Sequence, residues 1–164
     1  MYDLKPLTLE AVPRALEKAE RYRLLNDPAE AESICRDVLR VDPDNQGAQV
    51  MLLLALTEQF EEDTALHLSS AHEVLTQLDG DYERAYYSGI VAEREGKAHL
   101  HHGGPGARMS ALECFREAMA FYERAEAVRP AGNDDALLRW NACARQLMRV
   151  PEPVAGERFI PLLE

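Results

Sequence analysis

The sequence predicts an all-α fold of about seven helices, arranged as antiparallel pairs stacked side by side. Three observations predict it. Apolar residues recur at helical intervals in segment after segment of the 164-residue chain. Proline, glycine and capping residues fall between these segments, where helices would start and stop. One spacing also occurs twice: Ala31, Cys35, Val38 and Pro43 sit at intervals of four, three and five, and Ala118, Tyr122, Ala125 and Pro130 repeat them.

Taken in order, Asp27-Pro28-Ala29-Glu30 combines a capping Asp, a proline suited to the first helical position and a Glu placed to close a capping box. A helix should start at Pro28 and stop before Asp42-Pro43, because the residue before proline disfavours helical dihedrals. Its partner runs from about residue 8 to 25, with Pro13 tolerated in the first turn and Ala19 and Tyr22 on one face. These two form a first repeat near 12–45. Residues 46–60 carry Ala48, Met51, Leu52, Ala55 and Leu56 at helical spacing, with Leu53 and Leu54 widening the face, as in a helix packed on two sides. A partner over about 64–79, with Ala65, Leu68, Ala71, Leu75 and Leu78 on one face, completes a second repeat near 46–81. Ala65 lies 34 residues after Ala31, although Ser69, His72 and Gln77 replace the aromatic, the alanine and the proline.

The third repeat, near 82–132, is longer. Gly89 is its small residue, yet Ala118 follows 29 residues later, where Ala31 follows Ala19 by twelve. The excess is centred on Gly103-Gly104-Pro105-Gly106, a turn. Helices at 82–101 and 108–129, each about two turns longer than their counterparts, would form a hairpin projecting beyond its neighbours. Asn133-Asp134-Asp135 offers caps for a final helix within 133–149, with Leu137, Trp140, Cys143, Ala144, Leu147 and Met148 inward and Asp135, Arg139 and Arg149 outward. The remaining 151–164 contain three prolines and read as a non-helical tail, whose Phe159, Ile160, Leu162 and Leu163 are expected to dock on apolar surface.

The small residue Ala19, the aromatic Tyr22 three later, Ala31 on the next helix and the closing Pro43 resemble the tetratricopeptide repeat, a helix–turn–helix unit of about 34 residues. The resemblance covers roughly residues 8–149. It rests further on Ala65 in the second repeat and on Gly89, Ala118, Tyr122, Ala125 and Pro130 in the third. It implies a right-handed stack over 1–150 and a non-enzymatic scaffold that holds a partner protein or peptide in a concave groove. In that family the groove is lined by the residues three before and one after the small residue. Carried over, these are Leu16 and Glu20, Val50 and Leu54, Tyr86 and Ile90, and, in the register of Pro130, Leu137 and Asn141. Some members grip a peptide's terminal carboxylate with Lys, Arg and Asn on this line. Here only Asn141 is of that kind, so such a clamp is not expected and the groove should be apolar.

Composition narrows the rest. Hydrophobic residues make up 46% of the chain, which argues against wholesale disorder. The net charge of −11 argues against nucleic acid or anionic lipid as partner. Between Arg40 and Arg84 no residue is basic and ten are acidic, which reads either as a solvated face or as steering of a basic partner. No signal-peptide or membrane-length apolar run is present, and the three cysteines lack paired or metal-type spacing, so a soluble cytoplasmic protein is expected. No phosphate-binding loop or local nucleophile signature appears, so neither enzymatic activity nor a cofactor is expected. His99, His101 and His102 flank the glycine turn. His99 and His102 are three apart and could face one ion, but no carboxylate or cysteine is obviously placed as a third ligand, and no metal is expected. Two alternatives stay open: a homodimer formed through hairpin or groove, and a metal- or small-molecule-binding regulator using the histidine-bearing tip.

Overall fold

The computed structural model describes residues 2–149, and among them every regular element is helical. A 3-10 turn, Leu9–Ala11, leads into α1 (Val12–Leu24), followed by α2 (Pro28–Val41), α3 (Gln46–Thr57), α4 (Thr64–Leu75), α5 (Asp81–His102), α6 (Ala107–Ala127) and α7 (Asp135–Arg149). Each helix packs on the next. α3 also touches α1 and α5, so the first helices of successive pairs meet one another. This packing is consistent with a helical repeat. No helix among the described residues is long and apolar enough to cross a membrane. The expected tail, with its docking segment 159–163, lies outside the described residues.

The first pair follows the sequence closely. Pro28 opens α2, and Asn26 adopts a left-handed backbone (φ 61°) that ends α1 and turns the chain. Asp27 stands at the cap position, but its side chain makes no capping bond. Its backbone (φ −122°, ψ 67°) is not the extended conformation that aims a carboxylate at the helix N–H groups, and its carbonyl accepts from Ala31 instead. Side-chain caps do hold the next pair: Asn45 Oδ1 accepts from Ala48 N and Asp63 Oδ1 from Leu66 N. Ala19, Ala31, Cys35 and Val38 are completely buried, as are Ala118, Tyr122 and Ala125 of the matching set.

The second pair departs from the 34-residue register. Ala65 is exposed, whereas Ala71 and Val74 are buried. These two lie 36 residues after Cys35 and Val38, and Thr64 likewise follows Pro28 by 36. The turn before α4 holds residues 58–63, three more than the turn at 25–27, while α3 is one residue shorter than α1. That leaves a net slip of two. Phe60, 1% exposed, lies in that longer turn and packs into the core. α4 also ends at Leu75 rather than near 79, although Leu78 beyond it stays buried.

In the third pair, Gly103, Gly104 and Gly106 all have positive φ, which allows the reversal between two long helices. The hairpin does not project clear of its neighbours. His102 Nε2 lies 2.8 Å from the Glu61 carbonyl in the α3–α4 turn, and Ala98 belongs to the core that includes Phe60. Arg149, at the end of α7, shares a concavity with His99, Gly103 and Gly104. The longer turn at 58–63 and the length of α7 supply neighbours at that height. On α7 itself, Ala136 and Cys143 are buried, Leu137, Trp140 and Leu147 are half-buried, and Met148 is 82% exposed. Arg139, expected outward, turns in toward α5.

Candidate functional site

Four tyrosines gather where α3, α5, α6 and α7 converge. Tyr86 stacks on Tyr82 (5.7 Å between centroids, planes 10° apart), meets Tyr87 edge-on (5.1 Å, 81°) and tilts against Tyr122 (5.9 Å, 53°). Helical spacing explains the first contact, since positions four apart share a face. Leu54 of α3 and Trp140 of α7 pack against the same buried core as these rings. Tyr82, Tyr86 and Tyr87 are half-buried and Tyr122 is buried. Burial first, and the Asp135 charge second, push the Tyr86 phenol up to about 12, so this is a neutral aromatic surface with polar tips. Beside it, Arg23 of α1 grips Glu58 at the end of α3, with Nε donating to Oε2 at 3.0 Å and a second bond from the other arm of the fork.

Beneath the aromatic cluster lies a carboxylate that the sequence reading did not single out. Glu93 of α5 is 1% exposed. Lys97 Nζ donates to its Oε1 at 2.6 Å, Tyr122 Oη to its Oε2 at 2.8 Å, and Arg139 Nε to Oε2 at 3.0 Å, with a further Arg139 bond to Oε1. Burial alone would raise this carboxyl; Lys97, Arg139 and the Tyr122 hydroxyl outweigh it and hold the group below its ordinary value. The carboxylate thereby ties α5 to α6 and α7. With both oxygens occupied, it acts as a structural anchor and not as a free base. The only sequence signal was an acid on the buried stripe of Gly89 and Gly96 with a Lys four residues on.

The predicted groove residues do not form one continuous surface. Leu54 and Tyr86 pack against one core that contains Ile90, and at 5% exposure Ile90 is core rather than a docking contact. Val50 packs into the core of the first two pairs and Leu16 into a cluster around Val12, Val38 and Ala48; Glu20 is exposed. Leu137 and Asn141 instead line a cleft of about 360 Å³ with Trp140, Glu123 and Glu126. Ala136 and Cys143 turn a different stripe of α7 to the core, while Leu137 and Asn141 line the cleft beside it. Trp140 Nε1 donates to Glu123 in that cleft. Asn141 thus sits beside two carboxylates, a poor place for a peptide's terminal carboxylate.

At the hairpin, His99 and His102 do not converge. His102 and His101 both turn to Glu61, the latter with Nδ1 3.4 Å from the carboxylate. His99 faces Glu95, and Cys114 of α6 completes a trio whose ligand atoms lie within 4.8 Å of one another. A carboxylate and a cysteine are therefore both placed near a histidine, contrary to the expectation from spacing, because close packing of α5 on α6 joins residues distant in sequence. Burial leads in pushing the thiols of Cys35, Cys114 and Cys143 each up to about 12, so they are protonated at neutral pH. No known protein family, curated protein or solved structure matches this chain.

Proposed function

We propose that the chain is a tetratricopeptide-repeat-type interaction module, without enzymatic activity, that holds a segment of another protein against the tyrosine face of α3 and α5. Support for the repeat reading comes from burial of six of the residues that carry the resemblance, Ala19, Ala31, Gly89, Ala118, Tyr122 and Ala125, although Tyr22 is half-buried and Pro43, Ala65 and Pro130 are exposed. The observation that carries the binding reading is Tyr86, half-buried at the centre of the aromatic cluster, in ring contact with Tyr82, Tyr87 and Tyr122. Such rigid aromatic side chains with polar tips anchor protein contacts at about 2 kcal/mol or more each. The segment bound is apolar with basic flanks. Asp44, Glu61, Glu62, Asp63, Glu73, Asp79, Asp81 and Glu83 are all exposed on a stretch without positive charge. The test compares proteins captured from native lysate by the parent and by Tyr82→Ala/Tyr86→Ala. The reading predicts specific partners lost from the variant while helicity by circular dichroism is kept. Identical capture by both, or an unfolded variant, would show that these rings serve packing alone.

A second reading, self-association, is favoured by Leu138 and Met148, which leave 61% and 82% of their surfaces exposed on α7. Sedimentation of the parent against Leu138→Lys/Met148→Lys separates the two: a dimer that the double variant dissolves supports self-association.

A further inference from the structure

The close approach of α5 and α6 assembles three side chains of different chemistry. Gly96 makes that approach possible: a β-carbon there would stand 3.1 Å from Cys114 Cβ and 3.2 Å from the Ala111 carbonyl oxygen. Next to Gly96, Glu95 and His99 are four apart and share one face of α5, with His99 Nε2 3.8 Å from Glu95 Oε1. The Cys114 thiol reaches across from α6, and the three ligand atoms all lie within 4.8 Å of one another.

We infer that Glu95, His99 and Cys114 form a binding site for a zinc-like divalent transition-metal ion. Carboxylate, imidazole and thiolate bind such an ion at about 2.0–2.3 Å, so the three atoms need to close by only about an ångström to surround it. Sulfur and nitrogen in the set select against calcium and magnesium, which require oxygen cages. Three protein ligands leave a fourth position for water. Solvent can reach the site, since the side chains of Glu95 and His99 are 24% and 36% exposed. Glu95 also borders a cleft of about 170 Å³ whose walls include His72 and Glu117. The carboxylates of Glu113 and Glu117 lie close enough to Cys114 to add to the negative potential there. Binding converts the thiol to a metal-bound thiolate and releases its proton to solvent, so affinity should fall with acid. The site goes beyond partner binding: an ion clamped between α5 and α6 would brace the hairpin whether or not a partner is bound.

Cobalt(II), titrated into the full chain in reducing, chelator-free buffer, reads the site directly. The expected result is one cobalt per chain, with the near-ultraviolet charge-transfer absorption of a thiolate–cobalt bond, displaced by zinc. Cys114→Ser should abolish that absorption. Glu95→Gln, a conservative change on a half-exposed side chain, should weaken zinc binding by about 10-fold or more. His101→Ala/His102→Ala should leave both readouts unchanged. Circular dichroism checks each variant for helicity, and Glu95→Gln stands as the deciding variant if Cys114→Ser does not fold. Absence of the charge-transfer band in the parent, its survival in folded Cys114→Ser, or unchanged zinc affinity in Glu95→Gln would each overturn the assignment.

Discussion

The ring of Tyr122 packs against Gly89 so closely that a β-carbon at Gly89 would stand 2.5 Å from Tyr122 Cε1. Ring and glycine interlock α5 with α6, and the phenol emerges from that contact to reach Glu93. Gly89 within a helix sacrifices about 1 kcal/mol of intrinsic helix stability relative to alanine. The packing contact is what makes glycine the better residue here.

Gly89→Ala is therefore expected to destabilise the protein despite the better helix former. Overpacking costs about 1–3 kcal/mol, and displacing the ring also strains its bond to Glu93. Tyr122→Leu should relieve part of the clash in the double variant. Urea unfolding of all four forms measures the coupling; additive losses would mean the two residues do not interact.

Glu93 sets the acid sensitivity. Its folded-state pKa is depressed below the ordinary 4.5, so its contribution is fully present above that value and is lost as pH falls through the lower folded value. Glu93→Ala should lower stability by about 2–3 kcal/mol at neutral pH, since it removes the charge-assisted bonds from Lys97 and Arg139 and leaves the buried Tyr122 hydroxyl without its acceptor. Glu93→Gln should flatten the loss of stability seen in the parent below pH 4.5. Denaturant titrations at neutral pH and below that value check both.

The two-residue slip in the second pair has a simple signature. Ala65→Lys, on an exposed position, should change stability by no more than about 0.5 kcal/mol. Ala31→Lys should prevent folding, because Ala31 is completely buried. Equal damage from both substitutions would mean that the 34-residue register holds after all.

Arg23 and Glu58 are coupled across the first two pairs, at side-chain exposures of 18% and 20%. A double-mutant cycle with alanine should return an interaction of about 1–2 kcal/mol, above a typical surface pair because the contact is bidentate and partly buried. A value indistinguishable from zero would make Arg23 only a cover for Met51, whose sulfur it also touches.

Local signals were readable and distant ones were not. Pro28 and the 103–106 glycine turn mark boundaries that depend on neighbouring backbone alone, and both fall where expected. Ala65 failed because a fixed period cannot register extra residues in a turn when α3 also shortens by one. Arg139 failed because polarity on an amphipathic helix points outward unless a buried charge awaits it, and Glu93 lies 46 residues away. The group of Glu95, His99 and Cys114 shows the same limit, for Cys114 meets His99 through the packing of two helices at Gly96. Of the groove residues, Leu54, Tyr86 and Ile90 share one core, while Leu137 and Asn141 line a separate cleft on α7.

The three thiols also give the molecule a built-in clock for its own breathing. Cys35 lies in the first pair, Cys114 in the long hairpin and Cys143 on α7, so each occupies a different part of the chain. A protonated, sheltered thiol reacts with a disulfide reagent only when its surroundings open. The reaction rate at each cysteine, resolved by mass spectrometry, thus reports how often that pair or helix swings away from the rest. Cys35, in the core that joins the first two pairs, and Cys143, on α7, record openings of different parts of the fold. Cys114, half-buried near the hairpin turn, records its opening on a separate hand of the same clock.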